Sequence, residues 1–182
     1  MDRKEQIMEN FKDLSNLHIE AHVRKAIPDD AKEVADVLNS VIREGKYTAF
    51  TRVFSIEEER TFISSLGERN AMLVAEINNK IVGIQVIDLL LNYMDSMKHV
   101  ATMGTWILAD FRGYKIGHIL AEESFEFARR QRYKKVVIQV LAHNERALRF
   151  YGHLGFEKIG IAGKQVEFNG EFYDSVYLEK FL

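Results

Sequence analysis

The sequence predicts a single mixed α/β domain, with helices interrupting the sheet in its second half. Three observations carry that prediction. Apolar residues recur at three- and four-residue spacing after Pro28-Asp29-Asp30 and again after Ser55, as on the buried face of a helix. The run Val136–Leu141 is nearly all apolar and β-branched, as a strand covered on both faces should be. The dipeptides Asn78-Asn79 and Asn169-Gly170, each between strand-like segments, have the form of tight hairpin turns. A chain of 182 residues with 47% hydrophobic content can bury one core and is short for two domains.

Taken in order, residues 1–20 carry Ile7, Phe11 and Leu14 at spacings of four and three, which predicts a short amphipathic helix as an N-terminal extension. A first strand is expected over 22–26. Pro28-Asp29-Asp30 then starts a helix that Val34, Val37, Leu38, Val41 and Ile42 carry to about Arg43. Glu44 to Phe54 reads as a loop rich in Tyr, Thr, Phe and Arg. Ser55-Ile56-Glu57-Glu58 has the form of a capping box, and its acidic run suits the helix dipole. Strands follow at Met72–Ile77, Ile81–Leu90 and roughly Val100–Leu108. Ile119, Leu120, Phe127 and Ala128 mark a helix beyond Gly117 that ends in the basic run Arg129 to Lys135, where cations favour a helix C-terminus. After Val136–Leu141 comes a helix from Asn144 to about Leu154, stopped at Gly155. The C-terminal hairpin is expected at Val166–Phe168 and Phe172–Leu178.

Composition narrows the function. Twenty-five Lys and Arg against 27 Asp and Glu give a net charge of −2, so no global field favours nucleic acid or an anionic membrane. No apolar stretch approaches the roughly 20 residues of a bilayer span, and Asp2, Arg3, Lys4 and Glu5 stand where a secretory peptide would be apolar. A cytoplasmic location is therefore expected. The absence of cysteine excludes disulfides and thiolate chemistry, and none of the six histidines has the adjacent acidic partner of a zinc helix, so no metal is expected.

Chemistry concentrates in two segments. Phe111-Arg112-Gly113-Tyr114-Lys115-Ile116-Gly117-His118 lies between a strand and a helix start. There, unpaired backbone N–H groups and the positive helix end make an anion site, with Arg112 and Lys115 as added donors. It matches neither a P-loop nor the Gly-x-Gly-x-x-Gly of a dinucleotide fold. Further on, Asn144, Ala147, Tyr151 and Leu154 share one helical face. Taken singly, Asn144 reads equally as an N-cap and Tyr151 as a core aromatic.

Together the segments resemble the GCN5-related N-acetyltransferases. Arg112 to Gly117 is similar to that family's pyrophosphate-binding pattern Gln/Arg-x-x-Gly-x-Gly/Ala. Asn144 to Phe156 matches Asn-x-x-Ala-x-x-x-Tyr-x-x-x-Gly-Phe at every position, in the family's order. One position departs: Lys115 stands where the family usually has glycine. The resemblance covers roughly residues 22–182 and implies a twisted, mostly antiparallel sheet flanked by helices, with one parallel pair of strands splayed apart. It makes residues 21–182 a single acetyltransferase domain.

The resemblance also implies acetyl-CoA as co-substrate. Thr105, Trp106 and Ile107 would flank the thioester, a backbone N–H near Ile107 would bind the acetyl carbonyl, and Gly113 to His118 would hold the pyrophosphate. Asn144 would contact the pantetheine arm, and the Tyr151 hydroxyl would protonate or hydrogen-bond the departing thiolate. Many relatives carry a glutamate as base near the position of Thr102; Glu44, Glu76, Asp88, His99 or water stay open for that role. Residues 43–54 occupy the acceptor side, like the branch that includes phosphinothricin and related small-amine acetyltransferases, although Tyr47, Phe50 and Phe54 read equally as core. A small amine is the expected acceptor, with a protein N-terminus or lysine, or a non-catalytic acyl-CoA sensor, as the alternatives. Homodimers are common in the family, and the C-terminal hairpin edge and the N-terminal arm are the places to look for one.

Overall fold

The computed structural model describes residues 21–182, so the N-terminal extension lies outside the described residues. Seven strands form one sheet in the order β1-β2-β3-β4-β5-β7-β6. These are β1 (His22–Lys25), β2 (Ala71–Ile77), β3 (Lys80–Leu89), β4 (Val100–Ile107), β5 (Lys135–Leu141), β6 (Glu157–Phe168) and β7 (Glu171–Phe181). Every neighbouring pair is antiparallel except β4 and β5. Helices α1 (Ala31–Arg43) and α2 (Ile56–Ser65) precede β2, α3 (Ile116–Arg130) joins β4 to β5, and α4 (Glu145–His153) follows β5.

Local chemistry accounts for most boundaries. The Ser55 hydroxyl accepts from the Glu58 N–H at 3.2 Å and the Glu58 carboxylate accepts from the Ser55 N–H at 2.7 Å, closing the capping box that starts α2. Asn78 and Asn79 both adopt positive φ (50° and 59°), as do Asn169 (52°) and Gly170 (80°), so both expected hairpins turn as type I′ geometry requires. The C-terminal hairpin is longer than expected. β6 begins at Glu157 and runs through irregularities between Lys158 and Gly160 and between Ala162 and Val166, where Lys164 takes φ 52° and donates its N–H to Asp174 at 2.8 Å. Two glycines and mostly exposed side chains remove the alternation by which such a strand is read.

Helices cover both faces of the sheet. Val34, Val37, Leu38 and Ile42 of α1 pack with Met72, Val74, Ile81 and Ile84 on one face. Ala121, Phe125, Phe127 and Ala128 of α3 pack with Ala101, Met103, Val136, Ile138 and Tyr151 on the other. Each fully buried Ile, Leu or Phe in these layers contributes roughly 1.5–3 kcal/mol of burial free energy. The two layers hold the sheet rigid on either side of a break. The β4–β5 ladder joins Val100 to Lys135 and Ala101 to Val136, and beyond those pairs the two strands diverge.

Candidate active site

The break in the sheet is the floor of the site. On its closed side β4 pairs with β3 as far as Leu108, whose N–H donates to Val82 at 3.0 Å. Backbone groups alternate along a strand, so even-numbered residues of β4 face β3, while Met103, Thr105 and Ile107 turn their N–H and C=O toward the gap. A cavity of about 710 Å³ opens there. Its wall includes Thr105, Trp106, Ile107, Arg112, Gly113, Lys115, Ile116, Gly117, His118, Asn144 and Tyr151. Thus all but one of the site residues expected from sequence meet in one cavity. Tyr114, with an exposed side chain, is absent from the wall.

The turn into α3 presents amides to this cavity. A short 3₁₀ turn, Ala109–Phe111, closes with the Arg112 N–H donating to Ala109 at 3.3 Å. The N–H of His118 returns to the Lys115 carbonyl at 2.9 Å, and among the described residues the N–H groups of 113 to 117 have no hydrogen-bond partner. Gly113 (φ 94°) has open space where a Cβ would stand, so its glycine serves backbone conformation. Lys115 takes φ 61° without that freedom. At Gly117 a Cβ would lie 3.0 Å from the Phe150 ring and 3.3 Å from Ile107, so this glycine lets α4 pack against the start of α3. Lys115, His118, Arg146 and Arg149 add basic side chains to the wall.

Arg112 does something the sequence did not disclose. Its Nε donates to the Ile107 carbonyl at 2.9 Å, and the guanidinium forms a two-armed ion pair with Glu44, one arm at 2.8 Å. It also lies 5.2 Å from the centre of the Tyr47 ring. The guanidinium therefore ties the end of α1 to the end of β4. Opposite, His143 Nε2 lies 2.9 Å from the Lys46 carbonyl and the Asn144 amide reaches toward the Tyr47 carbonyl at 3.5 Å. The segment from Glu44 to Tyr47 is thereby strapped to both walls. Phe50 stacks on Trp106 at 6.0 Å and meets Phe54 edge-on at 5.1 Å. Gly104 makes this arrangement attainable, because a Cβ there would stand 2.6 Å from the indole.

Asn144 caps α4, accepting from the Ala147 N–H at 3.1 Å, and is buried. Tyr151, one helical face further on, is 6% exposed; its ring contacts Phe150 and Phe156, and its hydroxyl lies 3.1 Å from Thr105 Oγ1. Burial pushes the phenol pKa up, against a smaller opposing effect of the Thr105 hydrogen bond. The phenol stays protonated at neutral pH and can act as a donor. Of the carboxylates and imidazole considered as bases, Glu44 is paired with Arg112 and Glu76 with Arg24. Asp88 bonds Asn70, and His99 lines a separate depression with Arg69 and Arg132. None of the four lies in the wall of the cavity.

A mostly antiparallel seven-stranded sheet whose one parallel pair opens into a cavity is the fold of an acyl-transfer class of enzymes. The acetyltransferase (GNAT) family model matches residues 39–156, and the chain belongs to that family as an acetyl-CoA-dependent N-acetyltransferase. No curated protein matches the sequence. Among solved structures it is similar to a ribosomal-protein-alanine N-acetyltransferase from Brucella melitensis (19% identity, TM-score 0.81, covering 88% of this chain and 99% of that one). It is also similar to a GNAT-family acetyltransferase from Streptococcus pneumoniae (24%, 0.78, 90% and 99%). A third, the phosphinothricin acetyltransferase of Sinorhizobium meliloti in complex with AcCoA, gives 17%, 0.82, 89% and 88%. These likenesses show the fold. No helix of the described residues is long and apolar enough to cross a membrane.

Proposed function

We propose that residues 21–182 act as one domain that transfers the acetyl group of acetyl-CoA to a primary amine of a small cytoplasmic molecule, by direct attack of the amine on the thioester. The observation that carries this reading is the Tyr151 hydroxyl beside Thr105 on the diverging stretch of β4, inside a cavity whose wall includes Gly113, Lys115, Ile116 and Gly117 with their free amides. The residues present suit the co-substrate: open backbone groups along β4 for an extended amide-bearing arm, and N–H groups of 113 to 117 for a diphosphate.

Acetyl-CoA supplies an acyl group already activated by a thiol leaving group. The rest is done by the chain. The Ile107 N–H stabilises negative charge developing on the acetyl oxygen. Asn144 contacts the pantetheine side. Tyr151 donates its O–H to the sulfur as the C–S bond breaks; burial holds the phenol above its ordinary range, so a strong hydrogen bond, with full transfer completed from solvent, is the natural outcome. The amine loses its proton to water, since Glu44 is held by Arg112.

The small-amine acceptor is supported by the strap over residues 44–47, which is tied to both walls. The test is thiol release from acetyl-CoA across a panel of small amines and peptides, with acetyl-CoA binding measured in parallel. Turnover on small amines is expected. Turnover confined to peptides would identify a protein acetyltransferase, and binding with no turnover on any acceptor would identify a sensor.

A further inference from the structure

A line of buried hydrogen bonds leads away from the phenol into the core. Thr105 Oγ1 lies 3.1 Å from the Tyr151 hydroxyl and accepts from Gln85 Nε2 at 2.6 Å, while Gln85 Oε1 accepts from Ser124 Oγ at 2.6 Å. Gln85 and Ser124 are both 0% exposed. Desolvating an amide and a hydroxyl costs roughly 1–3 kcal/mol each unless their bonds are made, so the core keeps these groups only as a completed set. An apolar pair at those positions would hold β3 against α3 without that demand. The polar set has a direction as well. With its oxygen taken by Ser124, the Gln85 amide presents N–H to Thr105, and Thr105 keeps its own proton to give.

We propose that Gln85, acting through Thr105, is a positioning residue for Tyr151: the relay Ser124–Gln85–Thr105 donates to the phenol oxygen and so aims the phenol's proton at the cavity. The inference rests on the reading of Tyr151 as donor to the departing sulfur. In that step the amine nitrogen forms the new bond to the acetyl carbon, and the C–S electron pair leaves on sulfur. The Tyr151 O–H hydrogen-bonds the sulfur as charge grows there, and the Thr105 O–H supports the phenol oxygen in that bond. The proton lost by the amine passes to solvent, and a solvent proton completes the thiol. The reverse polarity, phenol donating to Thr105, would turn its proton toward β4 and away from the leaving group.

A double-mutant cycle distinguishes this from a structural staple. Gln85→Met removes the amide at similar volume, and Tyr151→Phe removes the hydroxyl. Gln85→Met is expected to lower kcat by about 10-fold, with KM for acetyl-CoA changed less than about 2-fold, and to cost no further kcat once Tyr151→Phe is present. Equal losses in both backgrounds, or no loss in the Tyr151 enzyme, would overturn the relay. If Gln85→Met fails to fold, Thr105→Val carries the same two predictions, and Thr105→Ser should restore kcat by returning the hydroxyl. Tyr151→Phe with unchanged kcat while chemistry limits turnover is a separate result: it removes the donor role itself, and the relay with it.

Discussion

Lys115 holds φ 61° with a full side chain, a conformation that costs an L-residue about 1 kcal/mol. The strain sits at the residue that turns the chain into α3, within the run 113 to 117 whose amides have no hydrogen-bond partner among the described residues. Lys115→Gly should therefore raise stability by about 0.5–1 kcal/mol, read as a higher urea midpoint at constant slope. A lowered midpoint would mean that the ammonium does more for the fold than the backbone strain takes away. At this scale the sequence was informative wherever the chemistry is local. Asn144 and Tyr151 could be placed on one face because seven residues of helix separate them in a fixed period. Gln85 and Ser124 could not, since they stand 39 residues apart on different elements and only the packing of α3 on β3 brings them together. A glutamine set between Ile84 and Val86 was the one available signal.

Between elements, the strap from α1 to the end of β4 has the greatest consequence for the proposed function. Glu44 at the end of α1 and Arg112 at the end of β4 are partly buried and bound to each other through two arms, with Tyr47 against the guanidinium. Removing one partner leaves a charge without its counterpart, a loss of roughly 1–2 kcal/mol at this degree of exposure. Glu44→Gln should accordingly raise the amine KM and the acetyl-CoA Kd together by about 3- to 30-fold while kcat changes little, measured by steady-state kinetics and equilibrium binding. A fall in kcat with unchanged Kd would instead make Glu44 the base. The pair was illegible beforehand because the residues lie 68 positions apart and each had a plausible separate role. The first half of β6 escaped for a different reason: Gly160, Gly163 and an exposed, irregular register erase the period of two.

For the molecule as a whole, the order of elements and the two type I′ turns followed from patterns that burial and turn chemistry impose locally, and the parallel pair from the resemblance. The gap between β4 and β5 followed only from the resemblance, because divergence of two strands leaves no mark on either one's residue pattern. That gap joins the amide-lined turn of α3 to the phenol of α4 in one cavity, and the proposed chemistry needs both ends at once. Tyr151→Phe measures this most directly, with kcat taken under conditions where chemistry limits turnover and acetyl-CoA Kd taken alongside. A fall in kcat of about 10- to 1000-fold with Kd unchanged is expected from losing a donor that acts on the leaving group alone. An unchanged kcat would contradict the role of the phenol, and no binding of acetyl-CoA by the unaltered protein would contradict the site.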